Sequence, residues 1–186
     1  MAQANSQANV TFRSETLGTL LGLGGCWLLS TYQFVELPKD VFLVTTLPVR
    51  MEKHVANARR VVAFLREHPM VATVSYPDLP DHPDHALAQR LLPRGCGAVF
   101  PVNLKATREQ GRRFIETLKL FSHLANVGDA KSLVIHPAST THFRMSSEDL
   151  GRAGITEGTI RLSIGLEDPD DLIEDLSRAL HAAGKA

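Results

Sequence analysis

Apolar residues recur at helical spacing after Pro48, where Val55, Ala58, Val61, Val62 and Leu65 form one stripe that ends before Pro69. This spacing predicts a long amphipathic helix with Pro48 in its first turn. The period then changes. Residues 71–76 are β-branched and alternate, and Pro77, Pro80 and Pro83 follow, so a strand and then a loop are expected. A short helix over 85–92 leads to Gly95 and Gly97, after which 98–104 reads as a strand whose Pro101 suggests an edge or a bulge. Phe114, Ile115, Leu118 and Phe121 restore helical spacing across 107–121. Beyond them come a strand at 132–136, a helical turn at 147–151, a strand at 159–164 and a closing helix at 169–183. Asp168 stands ready to cap that last helix, with Pro169 in its first position. Residues 1–11 are polar, and 12–46 alternate apolar runs with glycine without a sustained period. The expected fold is α+β, a mainly antiparallel sheet of about four strands with helices on one face. Residues 1–46 form a divergent arm, partly disordered or helical, and 47–186 the folded domain.

At 186 residues and 44% hydrophobic content the chain can bury one ordinary core. Twenty basic residues balance twenty acidic ones, which leaves no field to attract nucleic acid or anionic lipid. Cys26 lies in an apolar stretch and Cys96 in a glycine-rich turn, a usage that suits a reducing, cytoplasmic setting. Residues 17–29 are apolar but shorter than the ~20 residues a spanning helix needs.

Candidate chemistry is sparse by generic motif. The Gly22-Leu23-Gly24-Gly25 run meets no phosphate-loop spacing. Asp81-His82-Pro83-Asp84-His85 groups two imidazoles with two carboxylates, but Pro83 constrains the backbone and no further ligand set is evident, so a solvated loop is expected and no metal. His136 and His142 flank a hydroxyl-rich loop whose side chains meet a ligand or satisfy the loop backbone; the pattern leaves both open. More informative is Arg161 inside the apolar strand Thr159-Ile160-Arg161-Leu162-Ser163-Ile164. Alternation puts it opposite Ile160 and Leu162, where it faces solvent or pairs with an anion. A guanidinium fork matches a carboxylate, and the Asn126-Val127-Gly128-Asp129 turn can add amide donors to the same anion.

Residues 122–142, Ser-His-Leu-Ala-Asn-Val-Gly-Asp-Ala-Lys-Ser-Leu-Val-Ile-His-Pro-Ala-Ser-Thr-Thr-His, closely resemble the signature of O-acetylhomoserine sulfhydrylases, pyridoxal-phosphate (PLP) enzymes of Cys/Met metabolism. Gly154-Ile155-Thr156 and Ile160-Arg161-Leu162-Ser163-Ile164-Gly165-Leu166-Glu167-Asp168 extend the resemblance, as do Leu47-Pro48-Val49-Arg50-Met51-Glu52 and Tyr76-Pro77-Asp78-Leu79. It covers about Leu47 to Ala183. Related lyases and cystathionine synthases usually carry Ser-Leu-Gly-Gly where Asn126-Val127-Gly128-Asp129 stands here, which tilts the resemblance toward sulfhydrylases. The resemblance implies the small C-terminal domain of a fold-type I enzyme, with Arg161 binding the substrate α-carboxylate and Asn126 assisting. It implies a transsulfuration in which sulfide or a thiol replaces the acetate of O-acetylhomoserine to give homocysteine, with PLP as electron sink.

The family's Schiff-base lysine sits in a Ser-x-Thr-Lys context, and none of Lys39, Lys53, Lys105, Lys119, Lys131 or Lys185 has that setting. No catalytic or cofactor-binding residue is therefore assigned, and the chain alone is expected neither to hold PLP nor to turn over. Its expected partners are an amino-acid substrate and either further copies of itself or a lysine-bearing large domain. The alternatives are a non-catalytic amino-acid-binding or assembly module, or an inert fragment.

Overall fold

The computed structural model describes residues 39–185 apart from 127, 142 and 153. The 1–38 part of the expected arm, with Cys26 and the Gly22–Gly25 run, lies outside the described residues, as does His142. By internal contacts the chain divides into Met1–Leu47 and Pro48–Ala186, and every strand described belongs to the second unit.

Helix α1 (Lys39–Glu67) begins nine residues before the expected start, so Pro48 lies inside it and not in its first turn. Proline's φ suits a helix, but inside one it gives up a main-chain hydrogen bond and its ring crowds the carbonyl four residues earlier. The predicted stripe of Val55, Ala58, Val61, Val62 and Leu65 is buried, with Ala58 and Val61 at 0% exposure. Strand β1 (Val71–Val74), helix α2 (His85–Leu91) and strand β2 (Val99–Leu104) follow as expected, each slightly shorter.

Helix α3 (Arg108–Thr117) starts on a reciprocal cap. The Gln110 N–H donates to Thr107 Oγ1 at 3.3 Å while the Thr107 N–H donates to Gln110 Oε1 at 2.9 Å. It stops four residues short of the helix predicted by Leu118 and Phe121. The physical reason lies 55 residues away. The Lys119 and Leu120 N–H groups donate to the carboxylate of Asp175 at 2.9–3.1 Å, and this pulls the backbone out of helical register. Phe121 is nonetheless buried, so its apolar spacing reported burial correctly and helix wrongly. The freed segment runs into β3 (Ser122–His123), a fifth strand that alternation in two residues could not announce.

Then come β4 (Leu133–Ile135), a 3-10 turn (Pro137–Ser139), α4 (Ser147–Arg152), β5 (Thr159–Ser163) and α5 (Pro169–Gly184). The Asp170 N–H donates to Asp168 Oδ1 at 2.8 Å, the expected cap. The sheet order is β1-β2-β5-β4-β3, antiparallel throughout except for the β3–β4 pair. Pro101 is neither on an edge strand nor at a bulge, because β2 has neighbours on both sides. The Ser75 N–H donates to the Pro101 carbonyl just past the end of β1, so the one N–H that proline cannot offer falls where that strand has already finished.

One face of the sheet, carrying Phe100, Val102, Leu104, Val134, Ile160 and Leu162, packs with α1, α3 and α5 into a single core. The opposite face carries Val99, Pro101, Asn103 and Arg161.

Candidate functional site

Arg161 sits at the middle of β5, opposite Pro101 on one side and Ile135 on the other. Its neighbours Ile160 and Leu162 are each 1% exposed and point into the core, so alternation sends the guanidinium to the sheet face opposite α1, α3 and α5. The side chain is half-buried, and among the described residues no carboxylate pairs with it.

Asn126 and Arg161 line one crevice with Leu124, Leu133, Val134, Ile135 and Ser163. Arg161 and Ser163 come from the interior strand β5 and Asn126 from the loop between β3 and β4. That loop turns at Gly128, whose φ of 82° is a conformation side chains resist. Asp129 orders it further: its Oδ1 accepts the Lys131 N–H at 3.0 Å, and its Oδ2 lies 3.5 Å from the Asn126 amide nitrogen. The Lys131 amide, followed by the Asn126 side chain, holds the Asp129 carboxyl below its ordinary range.

The base of the loop is tied to the segment after β5. The Ser132 N–H and hydroxyl both donate to Glu167, the Gly165 N–H donates to Ser132 Oγ, and the Leu166 N–H donates to the Ala130 carbonyl. From α1, Asn57 donates to the Gly165 and Glu167 carbonyls, and His54 Nδ1 lies 2.7 Å from the Ile164 carbonyl. Sequence reasoning assigned none of these residues a role. The available signal was polar side chains at core positions of α1 and an acid two residues beyond a strand-ending glycine.

His136, one of the candidates left open, is a structural group. It is 0% exposed, with Nε2 2.7 Å from the Glu157 carbonyl and Nδ1 2.9 Å from Ser139 Oγ. A carbonyl only accepts, so Nε2 carries a hydrogen; Nδ1 faces Ser139 Oγ, whose hydroxyl donates to the His136 carbonyl at 3.3 Å, and both ring nitrogens are occupied. The Thr140 hydroxyl donates to the His136 carbonyl at 2.9 Å, which places these hydroxyls on the loop backbone. Burial, and then the Arg108 charge, push the His136 pKa down despite the Glu157 contact. Burial also lowers His68. Because the folded state favours the neutral rings, their contribution to stability is complete above the free value near 6.5 and is lost as pH falls below it. Thermal unfolding between pH 7.5 and 5 should therefore show Tm falling, with a shallower fall in His136→Gln. A wild-type Tm that stays level over that range would contradict the assignment.

The Asp81–His85 loop is likewise bonded to its own residues and to its surroundings. Asp81 pairs with Arg66 at 2.9 Å, His82 Nδ1 accepts the Asp84 N–H, and His85 Nδ1 lies 3.1 Å from the Pro77 carbonyl. Among the described residues no group of three or more histidine, cysteine or acidic side chains is placed to hold a metal, and no helix is long and apolar enough to cross a membrane.

The profile of the Cys/Met metabolism PLP-dependent enzymes matches residues 5–181. An O-acetyl-L-homoserine sulfhydrylase of Leptospira meyeri is 48% identical over 138 residues, which is 74% of this chain and 31% of that protein. An L-methionine gamma-lyase of Fusobacterium nucleatum is 40% identical over 147 residues, 77% of this chain and 37% of that protein. Among solved structures, a Campylobacter jejuni chain described as an O-acetylhomoserine (thiol)-lyase, with N'-pyridoxyl-lysine-5'-monophosphate, superposes with a TM-score of 0.67 at 47% identity. The match covers 73% of this chain and 32% of that one. The chain thus spans about a third of the length of these proteins.

The crevice itself does not suit the family's cofactor. No lysine is among its lining residues, and its walls leave no room for even a water-sized group, far below the roughly 300 Å³ at which ligand pockets begin.

Proposed function

Because the chain belongs to the Cys/Met metabolism PLP-dependent enzyme family, we propose that residues 47–186 are the substrate-carboxylate domain of an O-acetylhomoserine sulfhydrylase, working with a large domain that carries the cofactor. Arg161 receives the α-carboxylate of the amino-acid substrate in a two-pronged contact, and Asn126 lends amide polarity from the loop. The reaction of the whole enzyme is replacement of the acetate of O-acetylhomoserine by sulfide or a thiol, with homocysteine as the sulfide product. Relatives include both sulfhydrylases and gamma-lyases; the higher identity to the former and the Asn126-Val127-Gly128-Asp129 turn favour the sulfhydrylase reading.

The observation that carries the proposal is Arg161, a half-buried residue whose guanidinium lacks a carboxylate partner among the described residues and which shares its crevice with Asn126. Calorimetric titration of the full chain with L-methionine, compared with L-methioninol, tests it. The carboxylate should be required for binding, and Arg161→Ala should weaken L-methionine binding by at least about tenfold, as loss of a charge-assisted hydrogen bond does. Arg161→Lys should recover little, because an ammonium cannot make the paired contact. Equal binding by wild type and Arg161→Ala rules the proposal out.

A further inference from the structure

We infer that Glu167 is a positioning residue that sets the reach between Asn126 and Arg161, an inference that rests on the carboxylate reading above. The β4–β5 ladder begins at Leu133 opposite Ser163, so strand pairing holds Arg161 but ends just before the loop that carries Asn126. The Glu167 carboxylate continues the connection where the ladder stops. Its Oε1 accepts the Ser132 N–H at 2.8 Å and its Oε2 accepts the Ser132 hydroxyl at 2.9 Å. Ser132 is 0% exposed, and its Oγ in turn accepts the Gly165 N–H at 2.8 Å. The main chain of Glu167 is held from the far side, because Asn57 donates to its carbonyl at 2.8 Å and to that of Gly165 at 3.0 Å. Residues 130–132, which end the Asn126 loop, are thereby joined to residues 165–167, which follow the Arg161 strand.

A carboxylate fits this post for a chemical reason. The two Ser132 donors reach two separate oxygens of one planar group, and an amide in its place would turn a donor NH2 toward one of them. Like charge bars Glu167 from contacting a substrate carboxylate directly. It acts through the loop.

The test is a titration of the ¹⁵N-labelled full chain with L-methionine, following the Arg161 Nε–H and the Asn126 side-chain amide by NMR. In the wild type both signals should shift together. In Glu167→Ala the Arg161 signal should still respond while the Asn126 response disappears, and affinity should drop about tenfold. Glu167→Gln, which keeps one acceptor for Ser132, should restore part of the Asn126 response. A role confined to stability would lower Tm without separating the two signals in folded protein. If Glu167→Ala folds and both signals respond at unchanged affinity, the positioning role is wrong and the carboxylate reading survives. Should that variant not fold, Ser132→Ala decides, a diminished Asn126 response supporting the role and a full one refuting it. A wild-type chain with no Arg161 response removes the carboxylate reading and this inference together.

Discussion

Gly165→Ala is expected to destabilise the chain by about 4 kcal/mol or more, enough to leave it largely unfolded at ambient temperature. A Cβ at this position would lie 2.2 Å from Glu167 Oε2, 2.5 Å from the Ala130 carbonyl oxygen and 2.5 Å from the Ser132 nitrogen. Two of those atoms are backbone, so the strand end and the loop base would have to separate, and the bonds from Ser132 to Glu167 and from Gly165 to Ser132 would break with them. Gly151, inside α4, is the control, since nothing lies within 4 Å of a Cβ built there. Gly151→Ala should be neutral or stabilising by up to about 1 kcal/mol through helix propensity. Denaturant melts of the two variants check the pair, and similar midpoints for both would show that the close approach at Gly165 is not a constraint.

The second large effect is expected at Asp175. This residue is 1% exposed on α5, and its carboxylate accepts the Lys119 and Leu120 N–H groups while pairing with the Arg178 guanidinium. Asp175→Ala removes the carboxylate that accepts two main-chain donors beside the core and should cost about 3–5 kcal/mol. Asp175→Asn should cost less, because one oxygen remains. The consequence reaches beyond stability: without this acceptor the 118–121 segment loses what holds it out of α3, and β3 with the start of the Asn126 loop follows from it. Hydrogen exchange at residues 119 and 120 reads this directly. Protection that persists in Asp175→Ala would mean that other contacts place the segment.

Much of the fold was legible because burial on one face imposes a period that sequence preserves. The α1 stripe, the β2 alternation with Phe100, Val102 and Leu104 inward, and the Asp168–Pro169 start of α5 all followed from local rules. So did the facing of Arg161, since a strand leaves its side chain no other direction than away from Ile160 and Leu162. The misses have one cause in common. The end of α3, the existence of β3 and the tolerance of Pro101 in an interior strand depend on which backbone groups meet across the fold, and Asp175 or the end of β1 leaves no periodic trace near the residues it governs.

For the candidate site the division is the same. The residue types and the resemblance they carry were readable along the chain, because a guanidinium in an apolar strand and an Asn-Val-Gly-Asp turn are local chemistry. Tertiary structure alone decided that Asn126 and Arg161, 35 residues apart in sequence, line one crevice, and that the Asp81–His85 cluster and His136 are spent on their own surroundings. It also singled out Ser132, Glu167 and Asn57 as the groups that tie loop to strand. The reason is physical: local sequence sets which face a side chain takes, whereas the distance between two side chains on separate elements is set by hydrogen bonds and packing that close only when the chain is folded.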